Sequence, residues 1–264
     1  LFIMGGGDGR MNDAGRMNHG GYWRSESEWP LARTQFTNYY LSSGGLLSTD
    51  PSASDTPSTT FQFDPDNPVP TLGGNLSGGL MTLAGAFHQQ ERSDFYGCKP
   101  PYLPLSSRHD ILVFQTPVLE EDVEVTGPIT VNLWISSSAL DTDFTAKLLD
   151  VCPPNEDYPD GFEMNLTDSI MRVRYRNSWE KAELMTPGEV YKISFPLYPN
   201  GNLFKKGHRI RVDISSSNFP RFDVNPNTGE ALGKELRRVV AENSVHHSPD
   251  RQSHVVLPII PKDS

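Results

Sequence analysis

Alternation of apolar and polar residues is the feature that most constrains how this chain can fold. It is clearest over residues 123–135, where almost every second residue is Val, Ile or Leu. A period of two places such residues on one face of a β-strand. Further apolar runs of strand length occur at 111–114, 144–151, 170–175, 190–197, 210–214 and 254–260. Several strands at regular spacing, separated by Gly and Pro turns, predict a β-sandwich or a barrel.

Turn residues divide these runs. Turns are predicted at Thr126-Gly127-Pro128, Pro187-Gly188, Asn200-Gly201 and Lys206-Gly207. A hairpin is predicted over residues 35–47, because two strand-like segments flank Ser42-Ser43-Gly44-Gly45.

One helix is predicted, over residues 229–242. Its apolar residues would share one helical face; they are Leu232, Leu236, Val239 and Val240. The predicted fold class is therefore all-β, with long loops and one short helix.

Long irregular segments accompany the strands. Residues 5–30 begin with a run of glycines and are predicted to form a glycine-rich loop, and residues 48–109 are predicted to be irregular loops. Loops of such length inside a compact domain are usually functional or packed against something. We therefore expect one domain over 1–264, with the main sandwich strands in 110–264.

The charge balance excludes some partners. The chain has 33 acidic and 23 basic residues, which gives a formal net charge of −10. Binding to a nucleic-acid backbone needs Lys and Arg clustered on one face, and here they are scattered, so nucleic acid is not expected as a partner. No apolar run approaches the roughly 18 residues of a membrane span, so no membrane partner is expected.

The two cysteines, Cys98 and Cys152, lie 54 positions apart. Neither belongs to a Cys-x-x-Cys motif, so no zinc site, no redox site and no cofactor is predicted. They are two separate thiols, or a disulfide if the domain is extracytoplasmic. The chain begins at Leu1 inside an apolar run, as expected of a fragment, and both a cytoplasmic and a secreted location stay open.

The sequence contains no recognisable catalytic constellation. A nucleophile elbow needs Gly-x-Ser-x-Gly between a strand and a helix, and the nearest string, at 74–79, has the wrong spacing. His208 follows a turn glycine and is interpreted as structural, because catalysis needs a partner within reach. His246 and His247 are expected to be exposed in a polar tail, with no complementary metal ligands.

Three polar motifs are also interpreted as structural. Residues 223–230 alternate oxygen-bearing side chains, but the spacing does not match a calcium loop, so an Asx-rich turn is predicted. Asp141 and Asp143 are expected to accept hydrogen bonds from turn amides. Three alternating arginines are predicted to share one sheet face; they are Arg172, Arg174 and Arg176.

Several longer strings are much more specific than strand periodicity. They are Val123–Gly127, Ser136–Leu148, Gly207–Arg211, Ser215–Asp223 and Asn225–Gly229, with Phe2–Gly5 and Glu28–Leu31 near the start. In this order they resemble the C-terminal non-catalytic domain of the cocaine esterase-like and Xaa-Pro dipeptidyl-peptidase family of hydrolases. The resemblance covers essentially the whole chain.

This resemblance implies a jelly-roll-like, galactose-binding-like β-sandwich whose partner is an α/β-hydrolase domain of the same polypeptide, with a helical cap. The family's enzymes hydrolyse esters or amides through a Ser-Asp-His triad in that α/β domain, so no catalytic residue is expected in this chain. The implied role is an accessory domain of a serine esterase, acylase or dipeptidyl-peptidase. The implied substrate of the whole enzyme is a small acyl ester or amide.

The resemblance also implies a site. In related enzymes a loop that corresponds to residues 70–87 helps line the substrate pocket. Its apolar residues are then expected to line that pocket here; they are Leu72, Leu76, Leu80 and Met81.

Two other functions fit a β-sandwich, because a fold does not fix a function. A free-standing carbohydrate-binding module would need an exposed aromatic platform, for which Tyr22, Trp23 and Trp29 are the candidates. An oligomerisation module would need a surface that pairs copies of the chain, which makes a homo-oligomer the third alternative.

Overall fold

A computed structural model describes residues 1–53, 56–76 and 83–262. These residues form thirteen β-strands. The strands are β1 (Phe2–Gly5), β2 (Gly21–Trp23), β3 (Gln35–Ser42), β4 (Leu46–Ser48), β5 (Ser58–Phe63), β6 (Leu112–Gln115), β7 (Val123–Ser137), β8 (Asp143–Cys152), β9 (Phe162–Arg172), β10 (Tyr191–Phe204), β11 (Arg209–Ser215), β12 (Ala241–His246) and β13 (His254–Ile260). Short 3-10 turns lie at Ser43–Gly45, Leu105–Ser107 and Val173–Tyr175.

The strands join in one curled sheet. Its order is β2-β1-β10-β7-β13-β3-β4-β6-β11-β8-β9, and β5 is attached through β12 to β7. Strand β7 organises the sheet, since it pairs with β10 along one edge and with both β13 and β12 along the other. Strands β9 and β10 are far apart in this order, but the curl of the sheet brings them close together. Thr167 Oγ1 of β9 donates to Tyr198 O of β10 at 3.0 Å. The all-β prediction is confirmed, and the curled sheet has the form of a β-sandwich.

Side chains from both layers of the sandwich fill the main core. Phe63 of β5, Phe144 of β8 and Phe204 of β10 are completely buried. Phe61 and Phe144 pack edge to face with 6.3 Å between ring centroids, which joins β5 to β8. A second, smaller cluster lies within the long irregular region and consists of Val69, Leu72, Phe95, Leu105 and Ile111. The irregular region therefore packs around a core of its own.

Two of the predicted turns are wrong. Thr126-Gly127-Pro128 lies inside β7 and Asn200-Gly201 lies inside β10, and Gly127 is the pairing partner of Asn200. The register shifts just before Asn200, which marks a β-bulge, and bulges favour the same residue types as turns. A Cβ on Gly127 would lie 2.7 Å from Cβ of Pro258 in β13, so only glycine permits this approach. The other two turns and the hairpin through β3 and β4 are confirmed.

The predicted helix over 229–242 is also wrong. Residues 229–240 form an irregular segment, and the following residues belong to β12. All four apolar residues that suggested a helical face are exposed, Leu236 by 92%, so that face has no core to pack against. Two glycines in the segment have φ of +73°, which interrupts a helix. Glu230 organises the segment instead, and its Oε2 accepts a hydrogen bond from the Leu236 amide at 3.1 Å.

The N-terminal segment 5–30 is not entirely a loop. It contains β2, which pairs antiparallel with β1, and β1 lies parallel to β10. An ion-pair cluster then ties the following residues to β7. Arg24 donates to both carboxylate oxygens of Glu124 at 2.8 and 2.7 Å and to Glu26 at 2.6 Å. Arg33 Nη1 donates to Glu26 Oε2 at 2.9 Å. The hydrogen bonds from Arg33 and Arg24 lower the pKa of Glu26 to about 2.

Replacement of Glu26 by Gln is expected to destabilise the domain at pH 7, and progressively less as the pH falls towards 2. The pKa of Glu26 is lower in the folded chain than in the unfolded chain, so its contribution to stability is present above the ordinary carboxyl pKa. The contribution shrinks below that value and is lost as the pH falls through about 2, so the variant and the wild type should differ least at the lowest pH measured. Urea unfolding of the wild type and of Glu26→Gln at pH 7, 4 and 2.5 tests this. Glu121→Gln, which removes an exposed partner of Lys262, is the control and should have little effect at any pH.

Candidate functional site

The candidate site is the base of the loop over residues 70–87. Its two stems, 70–76 and 83–87, meet at Gly74 and Gly85, whose amides and carbonyls exchange hydrogen bonds of 2.7 and 2.9 Å. Glycine is required beside this bridge, because a Cβ on Gly73 would lie 2.4 Å from the Gly85 carbonyl oxygen. The tip of the loop, 77–82, lies outside the described residues.

A chain of buried hydrogen bonds holds the first stem. The Thr71 amide donates to Phe219 O at 2.7 Å, and Thr71 Oγ1 donates to Asn218 Oδ1 at 2.9 Å. Asn218 Nδ2 in turn donates to Asp168 Oδ2 at 2.8 Å. Asp168 belongs to β9, so the stem is bonded to the sheet through side chains that water does not reach.

Arg221 is the central residue of this anchor. Its guanidinium lies 2.5 Å from Asp168 Oδ1, and both side chains are less than a tenth exposed. The same guanidinium donates to Asn75 Oδ1 in the stem. It also lies over the rings of Tyr198 and Phe222, at 5.5 and 5.1 Å from their centroids. Arg221 thus connects the loop, the sheet and two aromatic rings.

Gln89 holds the end of the second stem. Its Nε2 donates to the carbonyls of Leu72 and Phe87, both at 3.0 Å, and its Oε1 accepts from Lys147 Nζ at 2.8 Å. Lys147 lies on β8 and is buried, and burial lowers its pKa. Asp168 and Asp213 oppose that shift. A buried ammonium group with nearby carboxylates fixes Gln89, and Gln89 fixes both stems.

A second buried ion-pair group extends this network across β11. Arg211 donates to both oxygens of Asp213 at 2.6 and 2.8 Å and lies 2.6 Å from Glu163. The Glu163 amide donates to His88 Nδ1 at 2.9 Å, and burial lowers the pKa of His88. Three adjacent strands, β8, β9 and β11, therefore contribute charges under the loop base. These charged groups pair with one another, and together they hold the loop base in position.

The predicted pocket-lining residues lie in different environments. Leu72 is completely buried in the smaller hydrophobic cluster. Leu76 is half-buried on the first stem. Leu80 and Met81 lie outside the described residues. The pocket-lining role of these four residues therefore stays a prediction.

An open cleft of about 520 Å³ adjoins the loop base. Pro70 and Phe219 form one wall, and they belong to the same bridge that holds the first stem. Tyr96 packs against Phe219 with 5.7 Å between ring centroids. Charges of both signs line the cleft, and Arg238 Nη1 lies 3.0 Å from Asp66 Oδ1. The loop base is thus accessible from outside on this side of the domain.

The two neighbouring histidines are not both exposed, contrary to the sequence prediction. His247 is completely buried, with Nε2 at 2.9 Å from Thr59 Oγ1, and His246 is half-buried, with Nε2 at 2.9 Å from Ser136 Oγ. Pairing of β12 with β5 and β7 encloses this part of the chain. Burial lowers the pKa of both rings.

The Asx-rich turn is confirmed, because the Asn227 amide donates to Asn225 Oδ1 at 2.9 Å. Asn225 Nδ2 donates to Asp141 and to Asp143, at 2.8 and 2.7 Å. Asp141 accepts from the backbone amide of Arg174 at 2.9 Å, as predicted, and also from its guanidinium at 2.7 Å.

The predicted shared sheet face of the three arginines is wrong. Strand β9 ends at Arg172, and the next residues form a 3-10 turn that buries Arg174. Arg176 lies over the ring of Tyr191 instead, 4.3 Å from its centroid. The alternation of the arginines therefore does not reflect a continuous strand.

The exposed aromatic residues do not make one platform. Tyr22, Trp23 and Trp29 are all exposed, Trp23 by 78%. Tyr22 and Trp23 are neighbours on β2, so their side chains point to opposite faces. Trp23 packs edge-on against Phe2, with 5.3 Å between centroids.

Both cysteines are free thiols, Cys98 half-buried and Cys152 buried. Burial raises the pKa of each thiol. Within 1–53, 56–76 and 83–262, no helix has the length and apolar character needed to cross a membrane.

Fold and site together define a β-sandwich domain that holds a long loop on a rigid, buried base. The X-Pro dipeptidyl-peptidase C-terminal non-catalytic domain family has a model that matches residues 1–256, and the chain belongs to this family. The domain is therefore the non-catalytic C-terminal type found in serine hydrolases.

Named relatives agree with this assignment. The chain is 40% identical over 249 residues to cocaine esterase of Rhodococcus sp. (strain MB1 Bresler), which covers 90% of this chain and 40% of the esterase. An α-amino acid ester hydrolase structure matches with a TM-score of 0.69 and 27% identity, over 85% of this chain and 36% of that one. An aminopeptidase from the marine sediment archaeon Thaumarchaeota archaeon has the same fold, with a TM-score of 0.72 and 24% identity over 94% of this chain and 39% of that one. The chain thus spans less than half the length of these relatives.

Proposed function

We propose that this chain is the accessory domain of a larger serine hydrolase and that the 70–87 loop helps shape the substrate pocket. The observation that carries the proposal is the anchor at Arg221, which bonds the loop stem at Asn75 to the buried Asp168. The first stem is held in this way without a substrate. Binding walls that are already in place discriminate between substrates at lower entropic cost than mobile ones.

An α/β-hydrolase domain of the same polypeptide is the proposed partner. Two facts support it: the family is a C-terminal non-catalytic domain, and the relatives are more than twice as long as this chain. Small acyl esters or amides are the proposed substrates of the whole enzyme, because cocaine esterase and the α-amino acid ester hydrolase are named for ester substrates. The half-buried Leu76 at the stem, with Leu80 and Met81 beyond it, would contribute apolar contact area to the acyl group.

Single Leu76→Ala, Leu80→Ala and Met81→Ala variants of the full-length protein are expected to change acyl-chain selectivity. Loss of several methyl and methylene contacts in an apolar pocket changes the ratio of kcat/KM between a long and a short acyl ester by roughly 10-fold. Rates measured with a series of nitrophenyl acyl esters give this ratio. Leu46→Ala, an exposed leucine on β4, is the matched control and should leave the ratio unchanged.

Two results contradict the proposal. One is an unchanged selectivity ratio in all three loop variants. The other is ester turnover above the buffer blank by this chain alone, because a domain of accessory function has no nucleophile of its own.

A further inference from the structure

Three side chains with metal-binding atoms meet at one end of β8. Asp150 and Cys152 are two positions apart on this strand, so they point to the same face. His208 precedes β11, which pairs with β8 so that Arg209 lies opposite Val151, and this register brings His208 next to Cys152. The ligand atoms of the three residues all lie within 4.8 Å of one another. Residues 56 positions apart in the sequence are therefore neighbours in the fold.

Two of the three residues are buried and His208 is partly exposed, and within the described residues no arginine is paired with Asp150. Asp150 is completely buried, and Cys152 is 3% exposed. Asp150 Oδ1 lies 2.7 Å from His208 Nδ1, and Asp150 Oδ2 accepts from Asn202 Nδ2 at 3.3 Å. The buried ion pairs elsewhere in this domain place a carboxylate against a guanidinium, as Asp141 does with Arg174. At Asp150 the facing groups are an imidazole and a thiol, which are metal ligands.

The glycine-rich N-terminal loop covers the cluster. A cavity of about 10 Å³ lies between loop residues 6–19 on one side and Cys152, Lys205 and His208 on the other. That volume accommodates roughly one water molecule or one ion. Lys205 also lines this cavity, and its Nζ donates to Gly7 O of the loop at 2.8 Å. His19 of the loop has its Nε2 at 2.8 Å from Asn202 Oδ1. Asn202 in turn donates to Asp150, so Asn202 connects the loop to the cluster.

We propose that Asp150, Cys152 and His208 bind a zinc ion beneath this loop. Thiolate sulfur, imidazole nitrogen and carboxylate oxygen are the ligands that zinc takes in proteins, at about 2.0 to 2.3 Å from the metal. In a tetrahedral site these ligand atoms lie about 3.5 Å apart. The longest separation in the cluster is at most 4.8 Å, so it contracts by at most about 1.3 Å. The hydrogen bond between His208 and Asp150 opens as the metal binds, and the proton that it contained ends on the other ring nitrogen, Nε2, of a neutral His208. The thiol proton of Cys152 leaves to solvent. The fourth position then faces the loop.

Metal binding to the full-length protein tests the proposal. After chelator treatment and dialysis, the wild type is titrated with Zn²⁺ by calorimetry and with Co²⁺ by absorption spectroscopy. A thiolate-to-cobalt charge-transfer band reports the Cys152 bond. The wild type is expected to bind one zinc ion at this site. Its Tm is expected to rise by roughly 5 °C when the free zinc concentration is a hundred times the Kd.

Cys152→Ser and His208→Gln are each expected to weaken zinc binding about 100-fold or more and to reduce the cobalt band. Cys98→Ser removes the other thiol and should change neither measurement. Circular dichroism of each variant shows that it is folded, and the two ligand variants provide independent tests if one of them does not fold. Equal zinc affinity in the wild type and in both folded ligand variants overturns the proposal, as does a cobalt complex without the thiolate band.

Discussion

Replacement of Arg221 by Met is expected to lower the free energy of unfolding by about 3 to 5 kcal/mol. The substitution keeps an unbranched side chain but removes the charge that faces Asp168. The side chain of Asp168 is 3% exposed, so its carboxylate would stay buried with one hydrogen bond, from Asn218. Its remaining positive neighbour would be Lys147, opposite it on β8, whose ammonium donates to Gln89. An unpaired buried charge costs far more than the net value of the pair. Urea unfolding followed by circular dichroism measures the loss.

Two controls separate this explanation from a general effect of removing arginine. Arg237→Met removes an exposed arginine that is paired with Glu230 and should cause no measurable loss. The double variant Arg221→Met with Asp168→Asn removes both charges, keeps an oxygen that accepts from Asn218, and should recover part of the stability. A double variant no more stable than Arg221→Met alone would show that the buried carboxylate is not the cause.

Phe144→Ala is expected to destabilise the domain by about 3 to 5 kcal/mol, through lost apolar burial and the cavity that remains. Phe144 is completely buried on β8, and its edge-to-face contact with Phe61 connects β8 to β5 on the other side of the core. The substitution therefore weakens the contact between the two layers. The midpoint of urea unfolding should fall while the slope stays constant, because the surface exposed on unfolding hardly changes.

Phe36→Ala is the matched control for this prediction. Phe36 lies on β3 and is 55% exposed, so its truncation should change stability by no more than about 0.5 kcal/mol. Equal losses in the two variants would contradict the assignment of Phe144 to the core.

The strands could be predicted from the sequence because a period of two is a local signal. The alternation over 123–135 continues through the whole of β7. Local signals failed where a distant segment decides the conformation. Gly127 suggests a turn, yet it lies within β7 beside a bulge, in close approach to Pro258 of β13. The apolar pattern of 229–242 suggests a helix, yet the segment is irregular and Leu236 is 92% exposed.

The candidate site shows the same limit. The loop over 70–87 was predicted from its resemblance to a family, but its anchor was not, because Thr71 and Arg221 are 150 positions apart. The one local sign is Lys147, a charged residue inside a strand whose neighbours are almost all apolar or small. Asp150, Cys152 and His208 have no recognisable sequence spacing either, and only the pairing of β8 with β11 unites them.

The position of β13 in the sheet has a consequence for how the domain forms during synthesis. Strand β13 lies between β7 and β3, with Val255 opposite both Val131 and Tyr39. A ribosome that adds about 5 to 20 residues per second needs about 6 to 25 s to proceed from Val131 to Val255. Throughout that interval β7 and β3 each have an unpaired edge, which is a template for pairing with another nascent chain. The middle of this sheet is therefore completed late, and the risk of misassembly on polysomes is greatest before β13 emerges.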